Sequence, residues 1–293
     1  MAEERGQVVI IGAGVVGTAL ACLVHRAGYQ VAAIASRRPE SANRACRMLG
    51  VDVAVSEPAE AARRGAIVLI TTPDDAIGSV CESLAGAGAF RSGSVVAHCS
   101  GALSSEVLAP ARERCGAHVA SVHPMQTFAT AASALSHFAG TWCFCEGDVE
   151  AVSVLRGLFA AIGGRVEQIS TANKVLYHAS AVMACNYLVV LLEAAGELAK
   201  QAGIDRTQAT AAMRPLLNAT LENVSRFGAI DALTGPIARG DADTVERQLA
   251  AIGQVSGELA GLYRLLGRRA LAMAKVKGTV DQAAAGRLQE MLS

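Results

Sequence analysis

Apolar residues along the chain fall into two regimes. Up to about residue 170, short apolar runs alternate with segments in which apolar positions recur every three or four residues. Beyond that point only the helical spacing remains. The runs predict strands over residues 8–11, 29–35, 51–55, 66–71, 95–98, 118–122, 141–146 and 165–169. Helices are expected after most of them, over 40–49, 58–64 and 149–162 among others. This alternation predicts an α/β domain over 1–170, a doubly wound and mostly parallel sheet with covering helices. An all-α domain over 171–293 follows, opening on a long helix from Thr171 to about Gln201. Asp205 is expected to cap the next helix, which Gly228 stops, and shorter helices are expected near 244–252, 257–266 and 280–291.

The first strand runs directly into Gly12-Ala13-Gly14-Val15-Val16-Gly17, with helical spacing continuing to Gly28. A GxGxxG between a strand and a helix is the dinucleotide fingerprint of a Rossmann-like fold. Gly12 permits the tight turn, Gly14 lets a pyrophosphate approach the backbone, and Gly17 lets helix and strand pack closely. The helix N-terminus supplies free N–H groups and a positive dipole end to the phosphates. These six residues are the expected phosphate cradle. After the second strand an NAD site would carry an acid for the ribose 2′-OH. Here the sequence is Ser36-Arg37-Arg38, which suits a 2′-phosphate, because Arg forms bidentate charge-assisted bonds to phosphate oxygens. NADP is therefore the expected cofactor, ahead of NAD, FAD and S-adenosylmethionine. The backbone of Thr72-Pro73, after the next long strand, is expected to line it.

Bulk composition removes other classes. Lys plus Arg equals Asp plus Glu at 26 each, so the chain has no electrostatic footprint for nucleic acid or an anionic membrane. The polar start MAEERGQ does not read as a signal peptide. The longest apolar stretch, 179–192, is short for a bilayer span. Eight cysteines without a CxxC pair read as buried reduced thiols rather than a metal site. A cytoplasmic location is expected. The long helix of the second domain is apolar nearly all round, so it is expected to be buried in its own domain or against the partner subunit of a homodimer.

Hydride transfer from a nicotinamide needs a group to meet the developing alkoxide or amine, and a grip on the rest of the substrate. Such groups are expected beyond the carboxyl ends of the strands. Ser100 follows the strand 95–98 and is a candidate for substrate binding. His123 follows the strand 118–122, stiffened by Pro124; its alternative is a loop histidine bonded to backbone. Lys174 and His178 share a helix face at i and i+4, at the polar end of an apolar stripe, and are catalytic candidates. Asn186, Thr234 and Arg239 are candidates for substrate binding. For Asn186 the alternative is a structural hydrogen bond, and for the loop 232–241 an inter-helix turn with Asp241 as N-cap. No metal is expected.

Through Gly12 to Gly17, Thr72 to Ile77, His123 to Phe128, Lys174 with Tyr177-His178 and Asn186, and Leu233 to Asp241, the chain resembles a family of Rossmann-like oxidoreductases. That family pairs the fold with a C-terminal helical domain formerly of unknown function. The resemblance runs nearly the full length. Its architecture is similar to that of ketopantoate and pyrroline-5-carboxylate reductases, which reduce small carboxylate-bearing compounds with NADPH; some members are regarded as alternative ketopantoate reductases. β-Hydroxyacid dehydrogenases and ketopantoate reductases carry a helix lysine followed four residues later by asparagine. Lys174 matches the lysine, while His178 stands in place of the asparagine. His123-Pro124 is similar to a His-Pro pair of prephenate dehydrogenases. The resemblance implies an NADPH-dependent reductase of a small 2-oxo acid, with Lys174 as proton donor or electrostatic stabiliser. An imine reductase and a non-catalytic NADP-binding regulator are the alternatives.

Overall fold

Every residue of the first strand, β1 (Val8–Ile11), is buried, which requires cover on both faces of its sheet. Alternation divides the strand between two cores. Val8 and Ile10 enter one apolar cluster, Val9 and Ile11 the other. The helices in chain order supply that cover: α1 (Val15–Arg26), then β2 (Val31–Ala35), α2 (Pro39–Leu49), α3 (Pro58–Ala62), β3 (Ile67–Ile70) and α4 (Asp74–Gly86). Then come β4 (Val95–His98), α5 (Ala109–Cys115), β5 (His118–Pro124), α6 (Ala131–His137), β6 (Trp142–Gly147), α7 (Val149–Ala161) and β7 (Arg165–Gln168). The sheet order is β2-β1-β3-β4-β5-β6-β7. β1 to β5 are mutually parallel, β6 runs antiparallel to β5, and β7 is parallel to β6. The expected Rossmann-like α/β fold is therefore present. This computed structural model describes residues 6–55 and 57–293; the polar start read above lies largely outside them.

Among the described residues seven strands replace the eight expected. Residues 51–55 form no ladder strand: a single parallel bridge joins Ala54 to Ile34 at the outer edge of β2. β5 extends to Pro124, so His123 belongs to the strand instead of following it. The short helices α5 and α6 were not expected from the spacing; α6 is held at its start by a capping box between Thr130 and Ser133. All eight cysteines are free, and Cys143 and Cys145 are buried core residues of β6.

The chain divides into two compact units, Met1–Ala184 and Cys185–Ser293. The division comes later than residue 170, because the first turns after β7 remain tied to the sheet by Thr171 and Lys174. The expected long helix is segmented: a 3₁₀ turn at Thr171–Asn173, then α8 (Lys174–Ala181), a π-helical turn at Val182–Asn186, and α9 (Tyr187–Gln201). Thr171 lies inside the 3₁₀ turn and Ser170 takes the cap position. The run Thr171–Gln201 has mean hydropathy 1.8 over its most apolar window and is long enough to cross a membrane by composition alone.

The second unit continues with α10 (Arg206–Phe227), α11 (Ala229–Ala232), α12 (Ala242–Val255), α13 (Gly257–Lys277) and α14 (Gln282–Leu292). Asp205 accepts hydrogen bonds from backbone N–H groups of the helix it starts, as expected; Asp241 does the same for α12, as the alternative reading of that loop held. Val245, Leu249, Leu271 and Leu288 form a small core among α12, α13 and α14. α9 and α10 contribute only Ala209 to the buried residues.

Candidate active site

Parallel registers align the carboxyl ends of the strands. Thr71, just beyond β3, donates its N–H to Ile11 O at 2.8 Å and its hydroxyl to Gly12 O at 2.6 Å. This clamp leaves no room for larger residues. A Cβ on Gly12, whose φ is +110°, would lie 2.8 Å from the Thr71 backbone, and one on Gly17 would collide with Gly12 O and the Thr71 hydroxyl. Gly14 faces open space, and α1 starts without a side-chain cap. Ala13, Val15 and Val16 complete the expected turn and first helical residues. Ser36 follows β2 half-buried, with Arg37 and Arg38 exposed and outside every ion pair among the described residues. Pro73 caps α4, and the Thr72 hydroxyl is buried without a partner. An uncapped helix start, an open Gly14, an orphan hydroxyl and free arginines fit a phosphorylated dinucleotide.

One register row crosses three strands at this edge: His98 on β4 is opposite Ser121 on β5, which is opposite Glu146 on β6. All three are buried. Two residues along β5, on the same face, lies His123. α8 meets this face with Lys174, Tyr177 and His178, at i, i+3 and i+4. The strand period and the helix period therefore pair Ser121 with Lys174 and His123 with Tyr177. The Lys174 ammonium donates to the Ser121 hydroxyl and lies 3.6 Å from Glu146 Oε1; both side chains are 1% exposed. Glu146 accepts at Oε1 from the Ser105 N–H, and at Oε2 from the hydroxyls of Ser105 and Thr171, each at 2.8 Å. A buried ion pair needs such supplementary bonds to offset its desolvation. Burial pushes the Lys174 ammonium below its usual pKa, and Glu146 opposes that shift.

His98 holds the loop after β4. Its Nδ1 accepts from the Ser100 N–H at 3.1 Å, so its Nε2 carries the proton and donates to Ser104 O at 3.1 Å. Desolvation lowers its pKa to about 4. Ser100 is likewise committed within this loop: its hydroxyl donates to Asp74 Oδ2 and accepts from the Ala102 and Leu103 N–H groups. Ser100 thus shapes the loop, and Gly101 is its point of approach. A Cβ there would collide with His178 Nδ1 and come within 3.0 Å of His123 Cε1.

The His123 and His178 rings meet edge to face at 5.5 Å, and His123 Nδ1 lies 2.8 Å from the Tyr177 hydroxyl. Burial, His178 and Lys174 together lower the His123 pKa to about 4, while burial raises that of Tyr177. His178 Nδ1 is buried without a partner. Among the described residues, Thr72 Oγ1 and His178 Nδ1 are the buried side-chain polar atoms left unsatisfied, and both lie beyond the carboxyl ends of the strands.

These histidine shifts carry a pH dependence. A histidine whose pKa falls on folding contributes stability that is present above about pH 6.5 and lost as the pH falls towards 4. For His98 the loss is on the order of 3 kcal/mol. Urea midpoints should fall between pH 7 and pH 4.5, and His98→Asn should flatten that slope. An equal slope in the variant would show that His98 does not carry it.

The structure thus brings Lys174, His178, His123 and Ser100 together within the first unit. Asn186, Thr234 and Arg239 belong to the second. Asn186 is exposed at the end of the π-helical turn, and its side chain makes no hydrogen bond among the described residues. Thr234 and Arg239 line one cavity. Spacing did not nominate Glu146, Ser121 or His98. The available signal was an acid inside the apolar run Cys143-Phe144-Cys145-Glu146, and a histidine ending the run Val95-Val96-Ala97-His98.

Residues 1–124 match the model of a Rossmann-like domain, and 141–270 match DUF2520, a domain of unknown function. No curated protein matches the chain. Among solved structures, a Bacteroides fragilis protein assigned as an NADP oxidoreductase shares 23% identity at TM-score 0.74, covering 92% of this chain and 99% of its own. A reductive aminase from Aspergillus terreus, in complex with NADPH and ethyl-5-oxohexanoate, shares 18% at TM-score 0.70, covering 96% and 98%. The pyrroline carboxylate reductase of Plasmodium falciparum, with NADP bound, shares 15% at TM-score 0.59, covering all of both chains. At these identities the likeness is one of fold.

Proposed function

We propose that this chain, a Rossmann-like domain joined to a DUF2520 domain, is a cytoplasmic NADPH-dependent oxidoreductase. It delivers a hydride to a small carboxylate-bearing carbonyl compound, a 2-oxo acid such as ketopantoate. The observation that carries this reading is the placement of the two orphan buried atoms. Thr72 Oγ1 sits by the dinucleotide turn, and His178 Nδ1 sits over Gly101 beside His123. Unsatisfied polar atoms at one edge of a sheet are the mark of a site built for ligands. The arginines after β2 support NADP over NAD.

Gly12 to Gly17, Ser36 to Arg38 and Thr72-Pro73 would hold NADPH, which when bound would supply the hydride. The chain supplies the response to the negative charge that develops on the substrate oxygen. His123 is neutral at ordinary pH. In the tautomer in which Nδ1 accepts from the Tyr177 hydroxyl, the Nε2 of His123 carries the proton and is the donor this reading assigns. His178 Nδ1 is free to orient the substrate. Lys174 is committed to Ser121 and Glu146, so of its two expected roles the geometry favours electrostatic stabilisation over proton donation. Its buried positive charge favours an anion nearby. Within the second unit, Arg239 is the group suited to a carboxylate, with Thr234 lining the same cavity and the Asn186 side chain exposed.

The homodimer belongs to the same reading. α9 and α10 bury almost nothing within the chain, and Tyr187, Val189 and Val190 are more than half exposed. Two helices without a core of their own require a partner surface. A second copy offers the same surface in self-complementary form.

The test is NADPH oxidation by the purified chain with a panel of 2-oxo acids and cyclic imines, ketopantoate and pyrroline-5-carboxylate first. Turnover with a 2-oxo acid, faster with NADPH than with NADH, is expected. Turnover confined to cyclic imines would establish the imine reductase reading that the reductive aminase likeness favours. Cofactor binding without turnover on any compound would leave the non-catalytic regulator.

A further inference from the structure

The second unit holds a cavity of about 460 Å³ whose lining includes Thr234, Gly235, Arg239, Lys277 and Thr279. Its wall is the loop between α11 and α12, and the end of α13 stitches that loop from behind. The Lys277 ammonium donates to Asp231 O at 2.6 Å and Leu233 O at 3.0 Å. The Thr279 hydroxyl donates to Ala238 O at 2.6 Å. Within the loop, Asp241 N–H donates to Pro236 O at 2.9 Å, and Gly235 takes φ +98°, a conformation suited to glycine. Both ends of the loop are therefore fixed before any ligand arrives.

The charges in this cavity are not balanced. Neither Arg239 nor Lys277 forms an ion pair with an acid among the described residues. The Arg239 guanidinium makes no side-chain hydrogen bond among the described residues. Lys277 has used two of its three N–H donors on carbonyl oxygens and keeps the third. The acid that feels Arg239, Asp241, is occupied capping α12 through the Thr244 N–H at 3.1 Å. A rigid loop that presents one unpaired guanidinium, with an ammonium and two hydroxyl-bearing residues around the same space, has the composition of an anion pocket.

We infer that this cavity is a preformed binding pocket for a small organic carboxylate, with Arg239 as the bidentate contact and Lys277 as its second cation. The inference rests on the reading of Arg239 as the substrate-anion residue and adds Lys277 and Thr279 to it. Arg239 presents the planar fork that matches a carboxylate. Lys277 adds charge and holds the loop so that the fork is already in place, which reduces the ordering cost of binding.

The experiment is calorimetric titration of the full chain, without NADPH, with 2-oxobutanoate and with butan-2-one, the neutral ketone that lacks the carboxylate. The unmodified chain should bind the carboxylate at least about tenfold more tightly than the ketone, since charge-assisted bonds are lost with the anion. Arg239→Gln breaks no intramolecular bond and should remove that preference, as should Lys277→Gln. Three results would overturn the inference: no binding of 2-oxobutanoate, unchanged binding in Arg239→Gln, or displacement of the carboxylate by NADPH, which would place the anion in the cofactor's phosphate site. Because no turnover is read, carboxylate binding that depends on Arg239 would stand even if the chain reduced none of the compounds tested. Conversely, reductase activity without this dependence would sink the pocket alone.

Discussion

Glu146→Leu should lower the stability of the first unit by about 3–5 kcal/mol, the cost of removing one partner from a buried ion pair. The carboxylate sits 1% exposed against Lys174. It also receives three hydrogen bonds from Ser105 and Thr171. Leucine fills the space but leaves a buried ammonium facing no anion, and a buried Ser105 N–H facing no acceptor. Glu146→Gln, which keeps an acceptor oxygen but no charge, should lose less. The measurement is urea denaturation of both variants, following the transition of the first unit. A loss below about 1 kcal/mol for the leucine variant would mean that the pair contributes nothing net, the usual outcome for exposed pairs. The loss also reaches the site, because Glu146, Ser121 and His98 form one register row beneath His123.

What could be read from the sequence follows a physical divide. The turn at Gly12 to Gly17 was legible because sterics dictate it: Gly12 and Gly17 stand where a Cβ would meet the Thr71 clamp. β1 and β3 were legible because both their faces are buried, which makes each a continuous apolar run. Residues 51–55 are apolar except for Asp52, yet they reach only the edge of β2 and close one bridge. α6 was hidden because seven residues barely complete two turns, too short for a period to show. Lys174 and His178 were legible by helical spacing. Their partners were not, because spacing within an element says nothing about which strand lies opposite. Glu146 meets Lys174 through the β5–β6 register and the docking of α8, both tertiary facts. Ser100 was nominated for its place after a strand; the structure shows its hydroxyl filled by Asp74 and two backbone N–H groups.

Lys174→Ala should lower turnover by about 10²- to 10⁴-fold, the range for a removed electrostatic or acid–base group, while NADPH affinity barely moves. The single variant is ambiguous, because it strands Glu146 as an unpaired buried carboxylate and can disturb the site through the fold. The double variant Lys174→Met with Glu146→Gln resolves this. Both charges leave together, methionine replaces the stem of the lysine, and the glutamine oxygen can still accept from Ser105. Replacing a buried pair by neutral groups of similar volume is often close to neutral for stability, so the double variant should unfold near the urea concentration of the wild type. If the ammonium stabilises the developing negative charge, turnover stays low although the fold has recovered. If turnover returns with the fold, Lys174 is a structural anchor, and the chemistry rests on His123, Tyr177 and His178. The pH profile reports the lost charge in either case. Lys174 is one of the charges that hold the His123 pKa down. Its loss should therefore move the acid limb of the rate profile towards higher pH, a shift that loss of anchoring alone would not produce.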